Sequence, residues 1–259
     1  MDERKTDLPP GFDLLWGVRE QGRRGPRPNL SVEQIVDAAI EIAQAEGLGP
    51  LSMAKVGERL GRSAMSLYRY VRNKDELLVL MMDVAALKSP PPEPEAGAGW
   101  RANLERWAYD LVALYRRYPW LLHAPIGPTP PIGPGQLGWL DRGLACFRPT
   151  NLPPDTQIGV VMLVLTFIRG QVRMAQEFNQ SFDAAGGTGA GFPTYADMLR
   201  QFAGKDRFPA LAAIVESGVF DDPLEGFTEQ DFDMEVRFGF AMIFDGIERL
   251  VDAHALPAD

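Results

Sequence analysis

The chain has 259 residues, 46% of them hydrophobic and 24% charged, with a formal net charge of −9. That length suffices for one large core or two domains, and the composition is that of a soluble globular protein. The acidity argues against indiscriminate binding of nucleic acid or membrane by the whole surface, but it leaves room for a local basic patch. Arg19 to Lys74 holds ten Lys and Arg against six Asp and Glu, a net of +4, while the remainder holds 16 bases against 29 acids, a net of −13. A small basic module joined to a larger acidic one is the expectation. The single cysteine, Cys146, excludes an intramolecular disulfide and reads as a small buried hydrophobe, and two histidines leave little for a metal site. The start "MDERKTDLPP" lacks the basic-then-apolar order of a secretory signal, and the longest strongly apolar run, Ile158 to Ile168, is too short to span a bilayer. A reduced, cytoplasmic protein with no membrane partner is expected.

Residues 1–28 read as an irregular extension, with "DLLWG" suited to dock as a short apolar tab and "RRGPRP" as a flexible basic arm. Regular structure is expected from Ser31, where "SVEQ" has the form of a capping box, followed by Val32, Ile35, Val36, Ala39, Ile40 and Ala43 at helical spacing. "EGLGP" ends that helix. Ser52 caps a second, short helix with Met53, Val56 and Leu60 on one side, and Gly61 stops it. A third helix starts near Ser63, and Asn73 with Glu76 caps a fourth over Lys74 to Leu87. Short helices with a tight turn between the second and third describe a helix-turn-helix. After the break "SPPPEPEAGAG", helices are expected near Trp100–Tyr118, Gln136–Phe147, Asp155–Phe178, Thr194–Phe202, Phe208–Glu216 and Gln230–Ala253. "HAPIGPTPPIGPG" reads as a rigid irregular loop and "SFDAAGGTGAG", at 181–191, as a mobile one. No stretch alternates like a strand, so the fold class is all-α.

The stretch "RSAMSLYRYVRNK", from Arg62 to Lys74, has four cations, two tyrosines and no acid. Projected as a helix from Ser63 to Val71, it places Ala64, Leu67 and Val71 in a buried stripe. Arg62, Met65, Ser66 and Arg69 fall on the opposite side, flanked by Ser63, Tyr70 and Tyr68. Such a face suits base reading, because Arg bonds guanine bidentately, Ser bonds either edge and Met touches a thymine methyl. Tyrosine hydroxyls and Lys suit phosphate oxygens.

At this point the residues resemble a known family. "IVDAAIEIAQAEGLGPLSMAKVGERLGRSAMSLYRYVRNKDELL" is similar to the DNA-binding domain of TetR-family bacterial transcriptional regulators, matching at Gly47, Leu51-Ser52, Val56, Leu60-Gly61, Leu67-Tyr68 and Asn73-Lys74 before Leu77. "LLWG", "RRGPRP" and "YPWLL" resemble the subgroup with a tetracycline-repressor-like C-terminal domain. The resemblance implies an N-terminal helix-turn-helix domain over 29–78 and a helical effector-binding and dimerisation domain over 79–259, after the extension 1–28. It implies base contacts from Arg62, Ser63, Met65, Ser66 and Arg69, and phosphate contacts from Ser52, Lys55, Tyr68, Tyr70 and Lys74. Ala54 and Ala64 stand where the tetracycline repressor reads bases with Arg and Gln, so a different operator is expected. Arg23, Arg24 and Arg27 either reach an adjacent minor groove or stay disordered.

The implied partners are a double-stranded operator, a small-molecule effector and a second copy of the chain. Dimer contacts are expected on the apolar stripe of the last helix (Val236, Phe240, Ile243, Phe244, Ile247) and on the 155–178 helix (Met162, Leu165), which is apolar nearly all round. Candidate effector contacts are Trp107, Leu111, His123, Trp139, Phe167, Arg169, Gln171 and Met174, each also readable as ordinary packing. Arg169 either pairs with an acid across the dimer or faces an anionic ligand, and His123 either bonds a ligand or makes a structural hydrogen bond. The expected function is a ligand-released repressor acting as a homodimer on a palindromic operator; the alternatives are an activator of the same family or an all-α protein-interaction module. No Ser/His/Asp set, metal-ligand cluster or phosphate-binding glycine loop points to an enzyme, a metal or a cofactor.

Overall fold

Helix starts are set by side chains that the sequence supplies in pairs. The structure, a computed structural model, describes residues 11–17, 30–125, 132–184, 195–221 and 228–255. A one-turn helix α1 (Phe12–Leu15) precedes α2 (Val32–Glu46). The Ser31 hydroxyl accepts the Gln34 amide at 3.2 Å and the Gln34 side chain accepts the Ser31 amide at 2.9 Å. That reciprocal pair satisfies two otherwise orphaned donors, worth about 0.5–2 kcal/mol for the serine cap. Ser52 caps α3 (Met53–Arg59) through the Lys55 amide, and Asn73 caps α5 (Lys74–Leu87) through the Glu76 amide at 2.8 Å. Between them, α4 (Ala64–Leu67) is one regular turn. The Val71 amide bonds the Leu67 carbonyl at 3.0 Å and so carries the helical path on to Val71.

The remaining elements are α6 (Gly99–Arg117), a 3₁₀ turn Pro119–His123, α7 (Pro134–Ala145), α8 (Pro154–Ala184), α9 (Tyr195–Phe202), α10 (Pro209–Glu216) and α11 (Glu229–Ala253). Among the described residues there is no strand. Helix α8 extends six residues beyond its expected end and absorbs the first residues of "SFDAAGGTGAG"; residues 185–194, and with them the rest of that loop, lie outside the described residues. So does the basic arm with Arg23, Arg24 and Arg27. The 3₁₀ turn occupies "PWLLH", and Trp120, Leu121 and Leu122 within it are buried. By length and composition α8 could cross a bilayer, a property shared by core helices of soluble proteins.

Two compact units emerge, Met1–Arg169 with Ile243–Asp259, and Gly170–Met242, so the division falls inside α8 and α11. Helices α2 to α5 therefore belong to the same unit as α6 and α7. The reason is visible at α5 and α7. Asp83 on α5 is fully buried, and its carboxylate accepts the Gln136 amide at 3.0 Å, in the first turn of α7. Gly135 comes so near that a Cβ would stand 2.5 Å from the Asp83 carbonyl oxygen. The Trp139 indole donates to the Ser89 carbonyl and the Trp107 indole to the Trp139 carbonyl, each at 3.0 Å. Buried Asn103 bonds Glu95 through both backbone groups and fastens the Pro/Gly break to α6. In the second unit, Tyr195 packs edge-on against Phe220 at 5.6 Å and Arg200 pairs with Asp221.

Candidate nucleic-acid interface

The turn between α3 and α4 depends on Gly57. Its carbonyl accepts the Leu60 amide at 3.1 Å and the Arg62 amide at 2.8 Å. A Cβ on Gly57 would stand 2.7 Å from the Arg62 carbonyl oxygen, closer than real Cβ atoms come. This approach seats α4 across α3 with Leu67 and Val71 fully buried beneath it. Ala64, expected in the same stripe, is only half-buried, because it begins the helix beside the turn where less of the core lies under it.

On the opposite side Met65 is 74% exposed, and Arg62, Ser63 and Arg69 are exposed too. Ser66 is half-buried and its hydroxyl donates to the Ser63 carbonyl at 2.6 Å, which leaves its oxygen as an acceptor. An exposed methionine that lies in sequence between Arg62 and Arg69 is suited to contact a thymine methyl. Tyr68 is exposed and Tyr70 half-buried.

The expected phosphate contacts fare unequally. The Ser52 oxygen already accepts the Lys55 amide as a helix cap, and its O–H is left to donate. Lys55 is ion-paired with Glu46, which neutralises its charge locally. Lys74 donates to the Leu48 carbonyl at 3.4 Å but has no carboxylate partner among the described residues, so it retains its charge at the start of α5. Arg72, the third cation of the acid-free stretch, is exposed but engaged: it pairs with Asp13 at 2.8 Å, and its amide donates to the fully buried Glu76. No signal near Arg72 foretells this, because Asp13 lies 59 residues away in sequence.

The candidate effector residues do not form one group. Trp107, Trp139 and Leu111 are buried, and both indoles are spent on backbone carbonyls, so these side chains pack the core. His123 is exposed at the end of the 3₁₀ turn and Met174 is 51% exposed. Phe167 and Gln171 are half-buried. Arg169 is half-buried without a carboxylate partner among the described residues; its guanidinium lies 5.4 Å from the Tyr115 ring centroid and donates to the Tyr115 hydroxyl at 3.1 Å. Burial raises the Tyr115 phenol above its ordinary pKa despite the guanidinium beside it. Cys146 is buried, and desolvation pushes its thiol up to about 11.

Most of the residues expected to make dimer contacts on α11 are buried in the single chain. Val236, Phe240, Phe244 and Ile247 are all about 2% exposed or less, so they are already covered within the single chain. Ile243 and Leu165 are half-buried. The apolar residues that α11 leaves open are Met234, Phe238 and Met242, at 60%, 69% and 56% exposure. They sit two residues out of step with the buried stripe, about 200° around the helix. On α8, Met162 is exposed, together with Ile158 and Leu163.

Residues 35–81 match the model of the bacterial regulatory proteins of the tetR family, and residues 92–251 that of the tetracyclin repressor-like C-terminal domain. The HTH-type transcriptional repressor DrrR1 of Streptomyces coeruleorubidus is 35% identical over 247 residues, covering 95% of this chain and 87% of that one. An HTH-type transcriptional regulator of Saccharopolyspora erythraea is 29% identical over 80% of this chain and 84% of its own. Among solved structures, the Streptomyces coelicolor TetR family protein ActR in complex with actinorhodin has a TM-score of 0.69 at 26% identity, covering 89% of this chain and all of that one.

Proposed function

Because the chain belongs to the TetR family of bacterial transcriptional regulators, we propose that it is a cytoplasmic repressor whose α4 reads an operator in the major groove and which a small organic effector releases. One observation carries the DNA half: Arg62 just before α4, Met65 within it and Arg69 just after it are all exposed, while Leu67 and Val71 are fully buried. Arg62 and Arg69 supply the bidentate donors, Met65 the apolar contact, Ser63 and Ser66 the smaller polar ones. Tyr68, Tyr70, Ser52 and Lys74 fix register on phosphates, and Lys55 joins them only by giving up Glu46.

A single helix-turn-helix offers little contact area, so two copies act on half-sites about one helical turn apart. The apolar stripe Met234, Phe238 and Met242 on α11, and Ile158, Met162 and Leu163 on α8, are the faces offered to the second copy, since exposed apolar patches of this kind mark association surfaces. For the effector, ActR is solved with actinorhodin. Here the effector lies in the helices beyond α5, where Arg169 and Tyr115 offer a cation and a phenol to its polar groups. Incubating the full chain with a pool of random duplexes tests the reading: a two-fold symmetric site should be enriched, with sedimentation giving two chains per duplex or a multiple of two. Enrichment of no sequence above background would remove the proposal.

A further inference from the structure

Helix α1 touches the two ends of the route between the recognition helix and α7. At one end the Asp13 carboxylate pairs with Arg72 at 2.8 Å, just past the helical path of α4. At the other end the Trp16 indole donates to the Ile132 carbonyl at 2.9 Å, two residues before α7 begins. Between them α1 rests on α5, close enough that a Cβ on Gly11 would meet Val79 at 3.4 Å and Glu76 at 3.5 Å. Asp13 and Trp16 are three residues apart, about 4.5 Å along a helix axis, so the tab spans the gap as one rigid turn. Leu14 donates its amide to Asp13 and the Phe12 ring stands 6.2 Å from Trp16, which hold the turn in shape.

The contacts are not those of a helix sealing a core. Trp16 stays 46% exposed, and Arg72 54% exposed, yet the Trp16 indole is held by the Ile132 carbonyl and the Arg72 guanidinium by Asp13. Arg72 is thereby withdrawn from DNA although it follows the reading face directly. We propose that α1 is a strap that mechanically couples the N-terminal end of α7 to the recognition helix, with Asp13 and Trp16 as its positioning residues. A displacement of α7 draws the Ile132 carbonyl, and through Trp16 and Asp13 it draws Arg72 and the end of the reading helix. This rests on the DNA-binding reading of α4 and adds a route by which the far domain reaches it. By linkage the coupling runs both ways, so DNA bound at α4 must in turn steady the start of α7.

The test uses the full chain and a duplex enriched from the random pool, with amide hydrogen exchange followed over residues 134–140. In the wild type, duplex binding slows exchange there by about fivefold or more. Trp16→Phe, which keeps the ring and loses the N–H, and Asp13→Asn, which keeps the shape and loses the charge, bring that slowing to within about twofold while duplex affinity stays within about threefold. Asp13→Glu restores the slowing. Unchanged slowing in both variants, or none in the wild type, overturns the strap. A variant that loses duplex binding altogether also overturns it and makes the tab a structural part of the DNA-binding head. A pool that enriches nothing refutes the DNA-binding reading itself, and the strap with it.

Discussion

Replacing Gly57 by alanine sets two effects of similar size against each other. Gly57 lies within α3 on an ordinary helical backbone, so alanine gains about 0.5–1 kcal/mol from lower unfolded-chain entropy and better helix propensity. Against that, the methyl would stand 2.7 Å from the Arg62 carbonyl oxygen and 3.2 Å from the Ala64 amide nitrogen. Ordinary contact begins near 3.4 Å, so the turn must open by about 0.7 Å. The obstruction is backbone, and the Arg62 amide is tied to the Gly57 carbonyl, so nothing can swing aside. Overpacking of this kind costs about 1–3 kcal/mol, which leaves a net loss near 1 kcal/mol and lowers Tm by about 2–4 °C. The larger effect is on function: a helix displaced by that much misses its bidentate contacts, and operator affinity falls about tenfold or more. Thermal melting and fluorescence anisotropy on the enriched duplex measure both. Gly138→Ala in α7 is the control, because a Cβ there meets nothing within 4 Å and the variant gains about 0.5–1 kcal/mol. Equal stability and equal duplex binding in the two variants would refute the reasoning.

Two further outcomes follow from burial. Desolvation raises the Asp83 pKa, although the Gln136 and Gly135 amides pull it down. The native state therefore holds that proton more tightly than the unfolded chain, so the wild type loses stability as pH rises from the ordinary 3.8 through the raised value. Asp83→Asn keeps an acceptor for Gln136 and lacks that titration, so urea midpoints should show it gaining on the wild type across that window; a constant difference with pH contradicts the assignment. On α11, Phe238→Asp should give monomers by sedimentation with the fold intact. Phe240→Ala, two residues on, should cost about 3–5 kcal/mol of stability, and an exchange of the two phenotypes would reverse the assigned faces.

Local chemistry made most helix starts readable. The Ser31–Gln34 pair and the Asn73 cap involve partners three residues apart, and α5 begins and ends at the expected residues. The side on which Met65 is exposed was legible for the same reason, since Leu67 and Val71 fix the phase. What stayed hidden depends on partners far along the chain. Asp83 looks like any polar residue in an apolar helix until the start of α7 arrives 53 residues later. Gly57 and Gly138 are the same residue in the same kind of helix, and only their neighbours distinguish them. Helix α11 carries apolar stripes on two faces, and periodicity alone gives no means of telling which one the chain keeps for its own core. The pairing of Arg72 with Asp13 likewise joins residues that are distant in sequence.

The central claim, that α4 reads sequence, is tested most directly by the discrimination of Arg69→Ala and Lys74→Ala between the enriched duplex and single-base variants of it. The account predicts that Arg69→Ala loses about 1–3 kcal/mol of preference at one base pair of each half-site and keeps it elsewhere. Lys74→Ala should weaken binding to all the duplexes alike and reduce the salt dependence by about one phosphate contact per site. If Arg69→Ala discriminates every position as the wild type does, α4 does not read bases through that face.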